Sequence, residues 1–258
     1  MMRRCARFVA KILGKQAMKL GDFKVLTFDC YGTLIDWETG IVNGLAPLVA
    51  RAEGKHGRDA ALEAFARHEA AQEKATPEMP YSQLLAAVYE RLAQEWRVPV
   101  TREQANIFGA SIPDWPEFAD SVAALQYLKQ HYRLAILSNV DRISFRASNL
   151  RLKVEFDAVY AAQDIGSYKP SLRNFEYMLR RLNEDFGLQK TDILHTAQSL
   201  YHDHVPAKQI GLASAWIDRR HDARGWGATV APPGTPAYDF RFESLAEFVA
   251  AHRRERGG

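Results

Sequence analysis

Cysteine is nearly absent. Cys5 and Cys30 are the whole supply in 258 residues, so no disulfide framework is available, and this usage fits a reducing cytoplasm. Long apolar runs are missing too: none reaches the roughly 18 residues that a membrane-spanning helix needs. Nor is there a basic stripe interleaved with aromatics, the mark of a nucleic-acid partner. The formal charge of +3 and pI near 8.8 look basic, but Arg3, Arg4, Arg7, Lys11, Lys15 and Lys19 all precede the first acid, Asp22. Taking those six from +3 leaves −3, so the body is mildly acidic and gives no electrostatic reason to expect nucleic acid or a membrane surface. Residues 1–20 read as a basic extension. Phe8, Val9, Ile12 and Leu13 make it weakly amphipathic, so a transit peptide or surface-lying helix competes with the plainer reading that Met18, opening MKLGDFKVLTFD, is the start.

What is present is enough apolar material for a sizeable core, at 47% of residues, over a length that suits one domain with a large insertion or two modest domains. Short apolar runs alternate with helical patterns, the signature of an α/β protein with a parallel sheet. The expected strands are 24–28, 134–137, 158–160, 193–196, 214–217 and 239–242. More than a hundred residues separate the first two, too many for one crossover helix. Leu84, Val88, Leu92 and Trp96 recur every four residues in that gap and predict an amphipathic helix. Helices are also expected near 39–52, where Pro47 would kink or divide the segment, and near 59–74. These features give a three-layer, Rossmann-like parallel-sheet core over 21–36 and 116–258, with a helical cap over 37–115.

Ligands of open parallel sheets sit beyond the carboxyl ends of the strands. Four expected strand ends lead into polar loops there: Asp29–Thr33, Ser138–Asn139, Ser167–Lys169 and Ala197–Asp203. Asp29 ends a buried run and is followed by a glycine turn and the hydroxyl of Thr33, an arrangement that suits a carboxylate nucleophile held against donors. A turn or helix cap is the structural alternative for Asp29. Ser138 and Asn139 similarly suit anion binding or the capping of the next helix. His202, Asp203 and His204 look at first like metal ligands, but adjacent residues at a helix start point in different directions, and no metal is expected.

The ordered segments DCYGTL, LAILSN, SYKP and the Asp203 loop resemble the haloacid dehalogenase superfamily, closest to its type II 2-haloacid dehalogenase branch. The likeness runs from about Phe23 to Asp36 and from about Pro116 to Arg219, while the cap agrees in position and helical character alone. Magnesium phosphatases of that superfamily carry a second Asp where this chain has Tyr31, and a further acid where it has Ser199; a near-octahedral oxygen shell would be short of carboxylates. A halide leaves unprotonated and needs no such acid. The resemblance therefore implies hydrolytic cleavage of a carbon–halogen bond in a short 2-haloacid, without cofactor. Asp29 would form an aspartyl ester, Lys169 would stabilise charge, and Asp203 would orient or activate the hydrolytic water. Tyr31, Thr33, Ser138, Asn139, Trp37, Gln198 and His202 would line the substrate site. An arginine from the cap grips halide or carboxylate in the family; Arg67 is preferred for that role here and Arg58 is the alternative. Gln198 and Leu200 stand where the dehalogenases carry Ser and Asn, which leaves open the residue that activates water, with His202 and His204 as further choices. Phe175 occupies a family aromatic position without a hydroxyl. A phosphatase acting on a small phosphate ester and a non-catalytic carboxylate-binding protein are the rival readings. The expected partner is a small carboxylate, and the resemblance leaves a homodimer open.

Overall fold

The computed structural model describes residues 18–52 and 56–257, so the expectations for residues 1–17 lie outside the described residues. The six expected strands all form, each within one residue of its predicted bounds: β1 (Val25–Phe28), β2 (Arg133–Ser138), β3 (Ala158–Ala161), β4 (Ile193–Ala197), β5 (Ala213–Ile217) and β6 (Phe240–Phe242). They build one parallel sheet in the order β3-β2-β1-β4-β5-β6. A parallel sheet covered on both faces needs strands apolar on both sides, which is why β1 reads as VLTF and is buried throughout.

Alternate strand residues go to opposite layers. Leu26, Phe28, Leu134 and Ile136 face α5 (Ser121–Leu128), α6 (Arg142–Leu152) and α10 (Leu245–Glu255). Val25, Ala135, Leu137 and Ile193 face α7 (Ala162–Ile165), α8 (Leu172–Phe186) and α9 (Val205–Gln209). The extension expected over 1–20 stops short of Leu20. That side chain is buried in the core, its N–H donates to Glu255 Oε1 at 3.1 Å, and its carbonyl accepts from Tyr132 Oη at 3.0 Å.

Between β1 and β2 come α1 (Trp37–Arg51), α2 (Arg58–Ala75), α3 (Tyr81–Glu95) and α4 (Arg102–Gly109). The predicted face of α3 is buried through Leu84, Val88 and Leu92. Pro47 neither divides nor ends α1. Proline costs the helix the bond to the carbonyl four residues earlier, and both Pro47 and Asn43 lie on the exposed face, where water can serve that carbonyl. The chain leaves and re-enters the core side by side: Asp36 N–H donates to the Pro116 carbonyl at 2.7 Å, and Phe118 N–H to the Leu34 carbonyl at 3.1 Å.

Candidate active site

The strand order reverses its direction of growth beside β1, and the crevice beyond the carboxyl ends of β1 and β4 is where such sheets bind ligands. Asp29 is the first residue past β1, and its N–H donates to the Thr196 carbonyl of β4 at 3.1 Å. The chain then turns tightly at Gly32, with φ of +87°. A Cβ there would lie 2.9 Å from Trp37 Nε1 and 3.2 Å from Gln198 Oε1, so conformation and space both call for glycine. The turn folds Thr33 back, and its hydroxyl donates to Asp29 Oδ2 at 3.0 Å while accepting the Gln198 N–H at 2.9 Å.

Lys169 is the hub. Its buried ammonium donates to Asp29 Oδ1 at 2.9 Å, to Asp203 Oδ1 at 2.7 Å and to the Leu137 carbonyl at 2.9 Å. Ser138, at the end of β2, adds a longer bond to Asp29 Oδ1 at 3.3 Å. Asn139 clamps the lysine backbone: its Oδ1 accepts Lys169 N–H at 2.7 Å and its Nδ2 donates to the Lys169 carbonyl at 3.0 Å. Capping of α6 falls instead to Asp141, which accepts from Ser144 N–H. Asp203 reaches inward from a π-helical turn, Leu200–His204, whose first residues are capped by Ser199. A π turn presents side chains at an angle the α-helix does not offer, and such turns recur at functional sites.

Burial is the largest influence on the charges here. It drives the Asp29 pKa above the ordinary carboxylate value, and repulsion from Asp203 adds to the rise, with Lys169 opposing both. Burial also works against ionised Asp203, but Lys169 and His195 prevail and hold that carboxyl far below the ordinary range. Lys169 is likewise held charged by its two acids against the pull of burial. The group is therefore a shared ammonium between a strained anion and a settled one.

No motif in the sequence announces His195, Glu69, Glu73, Tyr81 or Thr229. His195 sits inside β4, fully buried, with Nδ1 2.9 Å from Thr27 Oγ1 and Nε2 2.8 Å from Asp203 Oδ1. A lone histidine in an apolar strand reads as core, and Phe175, packed edge-on at 5.3 Å, holds its ring. The others line a cavity of about 30 Å³ together with Asp29, Tyr31, Trp37, Lys169, Gln198 and His202. Glu69 accepts a hydrogen bond from the Tyr81 hydroxyl, and Glu73 accepts one from Asn139 Nδ2 at 3.0 Å. Burial raises the Glu69 pKa to about 8 and also lifts Glu73 well above its ordinary value.

Among the other expected residues, Trp37 walls the cavity and packs edge-on against Phe65 at 6.2 Å. Tyr31 lines the cavity, but its hydroxyl bonds Ser148 Oγ at 2.9 Å, so it replaces the missing Asp with bulk and not with an acid. His202 faces Glu73 across 3.8 Å, and burial lowers its pKa to about 4. His204 points the other way, into the core, bonded to Ser214 Oγ and the Ala197 carbonyl. Arg67 does not enter the site: it is exposed and pairs with Glu95 at 3.1 Å. Arg58 stands apart as well, half exposed beside a second cavity of about 280 Å³ and 3.9 Å from Glu38. Arg67 lies two residues before Glu69, about 200° around the helix, so α2 cannot present both to one cavity.

The donor set does not suit magnesium. Among the described residues, no cluster of three or more His, Cys, Asp and Glu could hold an ion, and both acids at the hub already share the Lys169 ammonium.

Known structures share this architecture. An L-2-haloacid dehalogenase superposes with a TM-score of 0.69 at 21% identity, over 92% of this chain and all of the other. The L-2-haloacid dehalogenase from Xanthobacter autotrophicus with chloropropionic acid covalently bound gives 0.70 at 18%, over 91% and 99%. A magnesium-bound putative HAD-hydrolase from Bacillus subtilis gives 0.67 at 15%, over 89% and 98%, so the fold alone does not decide whether such an ion is used. No curated protein matches by sequence. The family description of haloacid dehalogenase-like hydrolases matches residues 23–195, most of the chain, including β1, the inserted helices and Lys169, and this protein belongs to that family.

Proposed function

We propose that the protein cleaves the carbon–halogen bond of a small 2-haloacid, with Asp29 as nucleophile and the helices α1–α4 acting as a cap over it. The observation that carries this reading is the Lys169 ammonium joining Asp29 and Asp203 within 2.9 Å of each, in a site whose Tyr31 supplies no acid for an alcohol leaving group. Asp29 Oδ2 or Oδ1 attacks C2, the carbon–halogen bond breaks, and the halide departs with the bonding pair. Water then adds to the Asp29 carbonyl carbon, the ester C–O bond opens, and a 2-hydroxy acid leaves with Asp29 restored. Burial that destabilises the Asp29 anion favours its attack, and Lys169 offsets the charge that moves during both steps. Asp203 Oδ2, buried beside the cavity and without a hydrogen-bond partner, is placed to hold the water. Ser138, with the longest bond to Asp29, is the donor most easily diverted to a substrate carboxylate.

The test is halide release with and without chelator, set beside phosphate release from a generic ester with magnesium. Chelator-insensitive halide release that disappears in Asp29→Asn supports the proposal. Chelator-sensitive phosphate release without halide would replace it with a phosphatase.

A further inference from the structure

Among the described residues, the side-chain donors that touch Asp29 are all engaged within the protein, while Gln198 Nε2 and Trp37 Nε1, which also line the cavity, carry no hydrogen bond. An ammonium has three N–H bonds, and those of Lys169 go to Asp29, Asp203 and Leu137. The hydroxyls of Thr33 and Ser138 go to Asp29. Asn139 Nδ2 is divided between Glu73 and the Lys169 carbonyl.

Acceptors are in surplus on the opposite wall. Glu69 and Glu73 are four residues apart on α2, a spacing that puts both on one face, and both are more than nine-tenths buried at the cavity. Two further polar atoms at the cavity are buried without a hydrogen bond, Asp203 Oδ2 on the Lys169 side and His202 Nε2, 3.8 Å from Glu73 Oε2, on side chains that are themselves at least nine-tenths buried. Among the described residues lining the cavity, four carboxyl groups face one lysine, and no arginine is present. A substrate ammonium would offer the paired carboxyls of Glu69 and Glu73 both hydrogen-bond donors and the opposite charge, which a simple haloacid cannot.

On the reading that Asp29 displaces halide at C2, we infer that the accepted 2-haloacid also carries a protonated amine, seated against Glu69 and Glu73 while C2 faces Asp29. Burial raises the pKa of both glutamates, and a cation seated against them favours their ionised form, so binding releases protons to solvent. Glu69 and Glu73 thus set specificity and take no part in bond breaking.

The test compares halide release from 3-amino-2-chloropropanoate and from 2-chloropropanoate, using the full chain and the variants Glu69→Gln and Glu73→Gln, singly and together. Glutamine still accepts from Tyr81 or Asn139, which protects the fold. The wild type should prefer the amino substrate by at least about tenfold in kcat/KM, and the double variant should lose that preference chiefly through KM. A preference for 2-chloropropanoate, or a ratio untouched by the glutamines, overturns the inference. Calorimetric binding of 3-aminopropanoate against propanoate supplies a readout independent of turnover. Glutamate-dependent binding of the amine without halide release keeps the amine site and removes the dehalogenation reading, while tighter binding of propanoate removes the amine site.

Discussion

At the residue scale, Lys169 is the fixed counter-charge on which the site depends. Replacing it with Met would leave Asp29 and Asp203 buried and facing each other without a cation. Stability should fall by about 3–5 kcal/mol in denaturant titration, because an uncompensated buried charge remains, and turnover should vanish. His195 acts one step back, through its bond to Asp203. His195→Phe removes a charge-assisted hydrogen bond of roughly 1.5–3 kcal/mol. It should lower kcat by about ten- to a hundredfold with little change in KM, provided the variant's melting curve shows it folded. An unchanged kcat would show that Asp203 needs no support from β4.

At the scale of elements, the sheet was legible and one helix face was not. Parallel strands buried on both sides must be continuous apolar runs, so β1, β2 and β4 could be read directly from the sequence, while the partly exposed edge strands β3 and β6 gave a shorter signal. Asp29 and Ser138, at the ends of β1 and β2, followed from the same logic, whereas Lys169, beyond α7, and Asp203, in the π turn after β4, were picked out by the resemblance together with their loops. Helix α2 misled because charged residues on a helix ordinarily mark its wet side. Its buried face instead runs through Leu62, Phe65, Glu69 and Glu73, and the arginine singled out from that helix lies on the exposed side. The apolar Leu62 and Phe65, followed at steps of four by Glu69 and Glu73, carried the signal, but no composition rule distinguishes such acids from a solvated stripe. His195 was hidden in the opposite way, by lying inside a strand whose neighbours are apolar. The junction between α1 and the core is as tightly specified as the sheet: a Cβ on Gly40 would fall 2.3 Å from the Trp115 ring. Gly40→Ala must push that indole aside, and overpacking of this kind costs about 1–3 kcal/mol, which should appear as a lowered urea midpoint.

At the scale of the whole molecule, the buried acids couple stability to pH. Glu69 is raised by burial from 4.5 to about 8, so the folded protein holds its proton where the unfolded chain has lost it. That contribution is fully present below about 4.5 and is lost as pH rises through about 8. A difference of one pH unit between the folded and unfolded pKa is worth roughly 1.4 kcal/mol. Thermal melts from pH 5 to 9 should therefore show Tm falling with pH, and Glu69→Gln should flatten the slope. A slope unchanged in that variant would place the titration elsewhere. The space of about 30 Å³ between the inserted helices and the sheet admits one or two waters, and on the proposed reading the paired segments at Asp36 and Pro116 are where those helices would hinge to admit a haloacid. The ester on Asp29 is the claim on which the mechanism builds, and it can be seen directly by mass spectrometry of the peptide bearing Asp29 after turnover in heavy-oxygen water. Heavy oxygen incorporated into the Asp29 carboxyl, with the product of a single turnover unlabelled, is the predicted result; label in the product alone would mean that water attacks the substrate directly, and would contradict the proposed chemistry.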